Sequence, residues 1–123
     1  MAKYYKTYFL FYGGLHFLAG LAFWLMPDLT RLFLKTPLAP DAAALMGFAS
    51  ALAGLGFIGV AFVTTPSHQK RVISLSVVGN LLNLGVHVQN VIRGYAPPTL
   101  IWLAGVSILG MSFVLFFIHK DIY

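Results

Sequence analysis

The residues of this sequence whose types and spacing could do chemistry sit in one apolar stretch. Residues 72–92 read VISLSVVGNLLNLGVHVQNVI and carry Asn80, Asn83, His87 and Asn90. Spacings of three, four and three put these on one face of a helix, and Ser76 and Gly79 extend that face toward its start. Roughly 20 helical residues cross the hydrocarbon core, so the stretch is long enough to span a bilayer. An amide without a partner in hydrocarbon costs several kcal/mol, so the stripe must face protein, ligand or water rather than lipid. Polar groups at membrane depth mark a functional site by default.

Two of the four histidines, His16 and His87, lie well inside apolar stretches. At ~1.5 Å per helical residue, His16 lies about 16 Å and His87 about 22 Å from the cytoplasmic ends of their spans. Two imidazoles from parallel helices at one depth could ligate a haem from both sides, and a single imidazole could ligate a chlorophyll magnesium. A quinone is a third flat-ring candidate. Gly85 near His87 and Gly14 beside His16 leave room for a ring, and Tyr12 and Asn83, about one turn away, could hold the imidazole tautomers. The plainer expectation is that no cofactor binds. Each histidine then donates to a neighbouring group, and Asn80, Asn83 and Asn90 join helices or a partner subunit by hydrogen bonds. No CxxCH motif exists, which excludes covalent haem attachment by that route.

Catalytic sets are missing. There is no cysteine and no glutamate, and Asp28, Asp41 and Asp121 all fall in connections or at a terminus. No P-loop, HExxH, carboxylate pair or Ser–His–Asp order appears, so the expectation is a protein that is not an enzyme. A proton-coupled carrier would want a buried carboxylate, which leaves a small lipid or small-molecule transporter as an alternative.

The elements that must position these side chains follow from composition. Of 123 residues, 59% are hydrophobic and 9% charged, against about 25% charged in soluble domains. The reading is an all-α integral membrane protein: a single four-helix bundle, up-down-up-down, with spans at about 5–26, 42–63, 72–92 and 99–118. In the first span, Tyr4, Tyr5 and Tyr8 form an aromatic belt with Lys3 and Lys6 outside it; Tyr5, Tyr8, Tyr12 and His16 share a face. Its apolar run continues to Met26 without a small-residue cleavage site, so it reads as a retained span. Leu29–Lys35 (LTRLFLK) is expected as a short amphipathic helix in the headgroup plane. Span two repeats small residues (Gly47, Ser50, Ala51, Gly54, Ala61), the pattern of a helix whose backbone lies close to a neighbour. TTPSHQKR (64–71) reads as a polar turn, and Tyr95–Pro98 as a second, rigid one. Span four, mostly Leu, Ile, Val and Phe, reads as the most lipid-exposed, and no internal repeat is evident.

The net charge of +5 does not point to nucleic acid, because the eight cations lie scattered in the flanks of the spans. Lys3, Lys6, Lys70, Arg71 and Lys120 fall on one side, and Arg31, Lys35 and Arg93 on the other. The positive-inside rule then places both termini in the cytoplasm, with a bacterial inner membrane as the expected location. Partners are expected to be lipid and other integral membrane subunits. The expected role is a non-catalytic accessory subunit of a larger membrane complex, bioenergetic in kind (respiratory or photosynthetic). A cofactor-binding electron-transfer subunit using His87 and His16 is the alternative.

The heptapeptide Gly14-Leu15-His16-Phe17-Leu18-Ala19-Gly20 resembles the Gly-x-x-Phe-x-x-Gly opening of DoxX-like four-helix membrane proteins. Size, helix count and turn placement are similar as well. The resemblance implies a small four-helix membrane protein, and the family includes a membrane subunit associated with a quinone-linked oxidoreductase. It therefore implies an accessory membrane subunit here. The stripe of Asn80, Asn83, His87 and Asn90 lies outside the resemblance.

Overall fold

The structure is a computed structural model that describes residues 2–34 and 40–123. Among the described residues it is all-helical. A 3₁₀ turn at Ala2–Tyr4 leads into α1 (Tyr5–Leu25), followed by α2 (Pro27–Leu34), α3 (Pro40–Val60), α4 (Pro66–Ile92) and α5 (Thr99–Asp121). Four of these helices, all but α2, are long and apolar enough to cross a membrane. The chain divides into two compact units, Lys6–Phe62 and residues 2–5 with Val63–Tyr123.

The helix bounds follow local chemistry. Pro27 has no N–H and its fixed φ suits a first helical turn, so α1 stops before it and α2 starts on it. Lys35, expected in the short amphipathic helix, lies outside the described residues. The polar segment 64–71 is not all turn: α4 begins at Pro66 rather than Val72. Proline at the first position removes no helical bond, and the residues after it are ordinary helix formers. Thr65 stands extended at the cap without a side-chain bond, and the Gln69 amide donates back to the Val63 carbonyl at 2.8 Å. The other end of α4 closes on Gly94, whose φ of +75° only glycine adopts freely. There the Gly94 N–H donates to the Val91 carbonyl at 3.0 Å and the Tyr95 N–H to that of Asn90 at 2.8 Å, the paired bonds of a Schellman stop. Likewise α5 continues past Ile118 to Asp121, with His119 and Lys120 complementing the negative end of its dipole.

In the Lys6–Phe62 unit, α1 and α3 run antiparallel with their backbones in near contact. A Cβ added at Gly13 would sit 2.7 Å from the Gly54 carbonyl oxygen, and one at Gly54 would sit 2.6 Å from that of Gly13. Gly20 and Gly47 repeat the reciprocal clash at 2.6 and 2.8 Å, with Ala51 buried between Gly47 and Gly54. Small residues at these steps let helices approach where lipid offers no hydrophobic drive, so dispersion between backbones holds the pair. At one end Lys6 Nζ lies 4.7 Å from the Phe62 ring centroid, and at the other the Trp24 and Phe48 rings meet edge-on at 5.1 Å.

In the second unit, α4 and α5 pack antiparallel around Ile73, Ile108, Leu115 and Ile118, all buried, and the Ala2–Tyr4 turn lies against α5. Outward positions are large and apolar: Leu75 on α4, and Trp102, Leu103 and Val106 on α5, are each at least 70% exposed. In water such a surface would drive aggregation; acyl chains solvate it at no cost.

The glycine seam gives a test. Gly47→Ile should lower unfolding stability in detergent or bicelles by about 1–3 kcal/mol, because the branched side chain must push two backbones apart. Gly56→Ile should change it far less, since a Cβ at Gly56 meets nothing within 4 Å. Equal effects at the two positions would contradict the seam.

Candidate functional site

Each intramembrane histidine is oriented by its own helix. His16 Nδ1 lies 3.1 Å from the Tyr12 carbonyl oxygen, and His87 Nδ1 lies 2.8 Å from that of Asn83. A carbonyl only accepts, so Nδ1 carries the proton in both rings and donates it to the turn below. Nε2 is then the nitrogen with the lone pair, the form in which a neutral imidazole binds a metal or accepts a hydrogen bond. Tyr12 and Asn83 thus fix the tautomers through backbone carbonyls and not through their side chains, a role that spacing alone left open.

The surroundings of the two rings differ. His16 is half-buried in an aromatic box within the Lys6–Phe62 unit. The Tyr12 ring centroid lies 4.2 Å away and that of Phe57 of α3 at 5.6 Å, with Tyr12 and Phe57 themselves 4.9 Å apart. Ser50 Oγ of α3 donates to the His16 carbonyl at 3.3 Å, fixing the height at which α3 meets the histidine. Tyr8 stacks on Tyr12 at 5.7 Å, and its hydroxyl is buried without a hydrogen-bond partner among the described residues. A Cβ at Gly14 would meet nothing within 4 Å, but two residues from His16 along α1 it opens on nearly the opposite side of the helix, away from this box. His87, in the second unit, carries no such box: it is half-exposed, and the neighbouring Gly85 is equally open.

The asparagine stripe splits in two. Asn80 is 5% exposed and its Nδ2 donates to Ser112 Oγ of α5 at 3.3 Å, so it joins α4 to α5. Asn83, one turn on, is exposed, and Asn90 is half-buried. Neither side-chain amide has a hydrogen-bond partner among the described residues. Asn90 contributes its backbone carbonyl to the helix stop instead. Gly47 and Gly54 lie against α1 and are closed to any partner outside that pair. Among the described residues no three His, Asp or Glu side chains gather as metal ligands.

The sequence reading gives Phe57 no role, takes Ser50 only as a small packing residue of span two, and assigns Ser112 no partner. Phe57 falls three residues past Gly54, beside the small-residue seam, so α3's face predicted an aromatic there only once α1 was known as its neighbour. Ser112 lies in span four, 32 positions from Asn80, and nothing local in the sequence links the two. The chain matches no protein-family model, no curated protein and no solved structure.

Ser112→Ala should cost about 0.6 kcal/mol of stability in a membrane mimetic, the mean for an interhelical hydrogen bond there. Ser107→Ala should cost less, because among the described residues Ser107 Oγ bonds only to the Leu103 carbonyl of its own helix. A larger loss at Ser107 would contradict the joint between Asn80 and Ser112.

Proposed function

We propose that this protein is a non-catalytic accessory subunit of a larger bioenergetic complex in a bacterial inner membrane. It spans the membrane four times, up-down-up-down as a four-helix bundle, with both termini in the cytoplasm and α2 in the headgroup plane. The observation that carries this reading is the α4 face. Asn83, His87 and Asn90 fall at membrane depth on one side of the helix, and Asn83 is exposed with its amide unpaired. Lipid cannot satisfy an amide, so protein, ligand or water must cover this face in the membrane, and the cover proposed here is protein. The five cations flanking the cytoplasmic ends, against three outside, support the orientation, and single cysteines at the two termini should label only from the cytoplasmic side. The likeness of Gly14–Gly20 to DoxX-like proteins favours the same role.

Affinity purification of the tagged protein from native membranes in mild detergent should recover further integral membrane subunits in fixed ratio. Asn83→Leu should reduce that recovery. A protein that purifies alone and carries a complete enzymatic or transport activity would sink the proposal.

A second reading rests on the histidine tautomers. With Nδ1–H tied to a carbonyl, the unprotonated Nε2 of His87 or His16 could hold a haem iron or a chlorophyll magnesium, or accept a hydrogen bond from the hydroxyl of a reduced quinone. In that case the preparation with partners retained should show a Soret or chlorophyll band that His87→Ala removes. Absence of any visible band from this subunit ends the haem and chlorophyll versions.

A further inference from the structure

The exposed side of α4 carries a seam of its own. Gly79, Asn83, Val86 and Asn90 follow one another at steps of four, three and four, the alternation of d and a positions in a heptad. The first three are exposed and Asn90 is half-buried; a Cβ added at Gly79 would meet nothing within 4 Å. Asn80 turns away to α5, so the seam is separate from the contact between α4 and α5. Both asparagines then occupy consecutive a positions, where asparagine fixes register and favours two parallel strands.

We infer that a second copy of this chain covers the seam, α4 against α4, as a parallel twofold pair. The inference rests on the reading of this face as a protein contact and names its occupant. Three features select a second copy over an unrelated helix. Copies inserted by one rule share one orientation, so a twofold axis along the membrane normal sets every residue opposite its counterpart at the same depth. An amide both donates and accepts, so Asn83 against Asn83 of the second copy, and Asn90 against Asn90, satisfy each other without further groups. No Lys, Arg, Asp or Glu lies between Arg71 and Arg93, so parallel pairing brings no like charges together within the hydrocarbon. Gly79, near one end of the seam, lets the two backbones approach. The heptad spacing implies a left-handed crossing.

The natural chain has no cysteine, so single-cysteine variants of the full protein report unambiguously. In native membranes treated with a copper–phenanthroline oxidant, Gly79→Cys and Val86→Cys should give disulfide-linked dimers. Val78→Cys and Gly85→Cys, on the far side of α4, should give little. Adding Asn83→Leu to Val86→Cys should weaken association roughly threefold, the effect of one typical interhelical hydrogen bond in a membrane. Adding Asn83→Gln, which keeps the amide, should largely preserve the dimer and shows that the helix is still inserted. Equal crosslinking around the helix, or none at the seam, overturns the inference. Crosslinks from Val86→Cys to a different protein alone also overturn it, while leaving the accessory-subunit proposal standing. Seam dimers with no other subunit co-purifying would uphold self-association and count against that proposal.

Discussion

Everything in this protein answers to one constraint: inside hydrocarbon a polar group has no water and must find its partner within protein. The backbone meets the demand by being helical almost throughout. Five polar side chains on the spans meet it within their own helix. Ser74, Ser76 and Ser107 donate to carbonyls four residues back at 3.0, 2.8 and 2.8 Å, and His16 and His87 do the same through Nδ1. These groups cost little in lipid and join nothing. Only polar groups that cannot close locally are left to specify contacts, and on α4 those are the asparagines.

The two units solve helix association differently. Between α1 and α3 the means is shape: glycines seven residues apart on each helix interlock, and the backbones themselves become the contact surface. That arrangement sets the height of α3 against α1 closely enough to place Phe57 and Ser50 on either side of His16. Between α4 and α5 the packed residues are Ile and Leu, with one amide–hydroxyl bond from Asn80 to Ser112 as the polar joint. A single bond of about 0.6 kcal/mol adds little stability, but it is directional. It fixes which side of α4 meets α5, and therefore which side faces away.

Much of the fold was legible because periodicity and punctuation are local properties. Hydrophobic runs of bilayer length marked the four long helices, and Pro27 and Gly94 marked stops for steric reasons that need no tertiary context. The start of α4 was misread because Ser67 to Arg71 are polar; polarity tracks water, whereas helicity depends on backbone bonds, and Pro66 begins a helix as readily as it ends one. The site was less legible. Spacing showed that Asn80, Asn83, His87 and Asn90 share a face, but a stripe on a wheel spans some 60° or more, enough for its two edges to meet different neighbours. Asn80 lies on the edge toward α5 and Asn83 on the edge away from it. That separation is set by the position of Ser112, which no local pattern in α4 contains.

The cost of Asn83 and Asn90 bears on what the protein is for. In the isolated chain Asn83 is exposed and Asn90 half-buried, and leucine at either position would be better solvated by lipid. A neighbouring helix that satisfies an amide returns only about 0.6 kcal/mol per bond, less than the penalty for leaving it bare. The asparagines therefore gain the chain little net stability even when paired; their effect is to make the unpaired state worse. A surface built this way discriminates: an apolar helix of the right shape cannot substitute for a partner that offers amides or hydroxyls at the same two depths. Greasy contacts alone would have held the protein loosely to many neighbours in a crowded membrane. On the proposed reading, two amides seven residues apart, without a hydrogen-bond partner among the described residues, select for one.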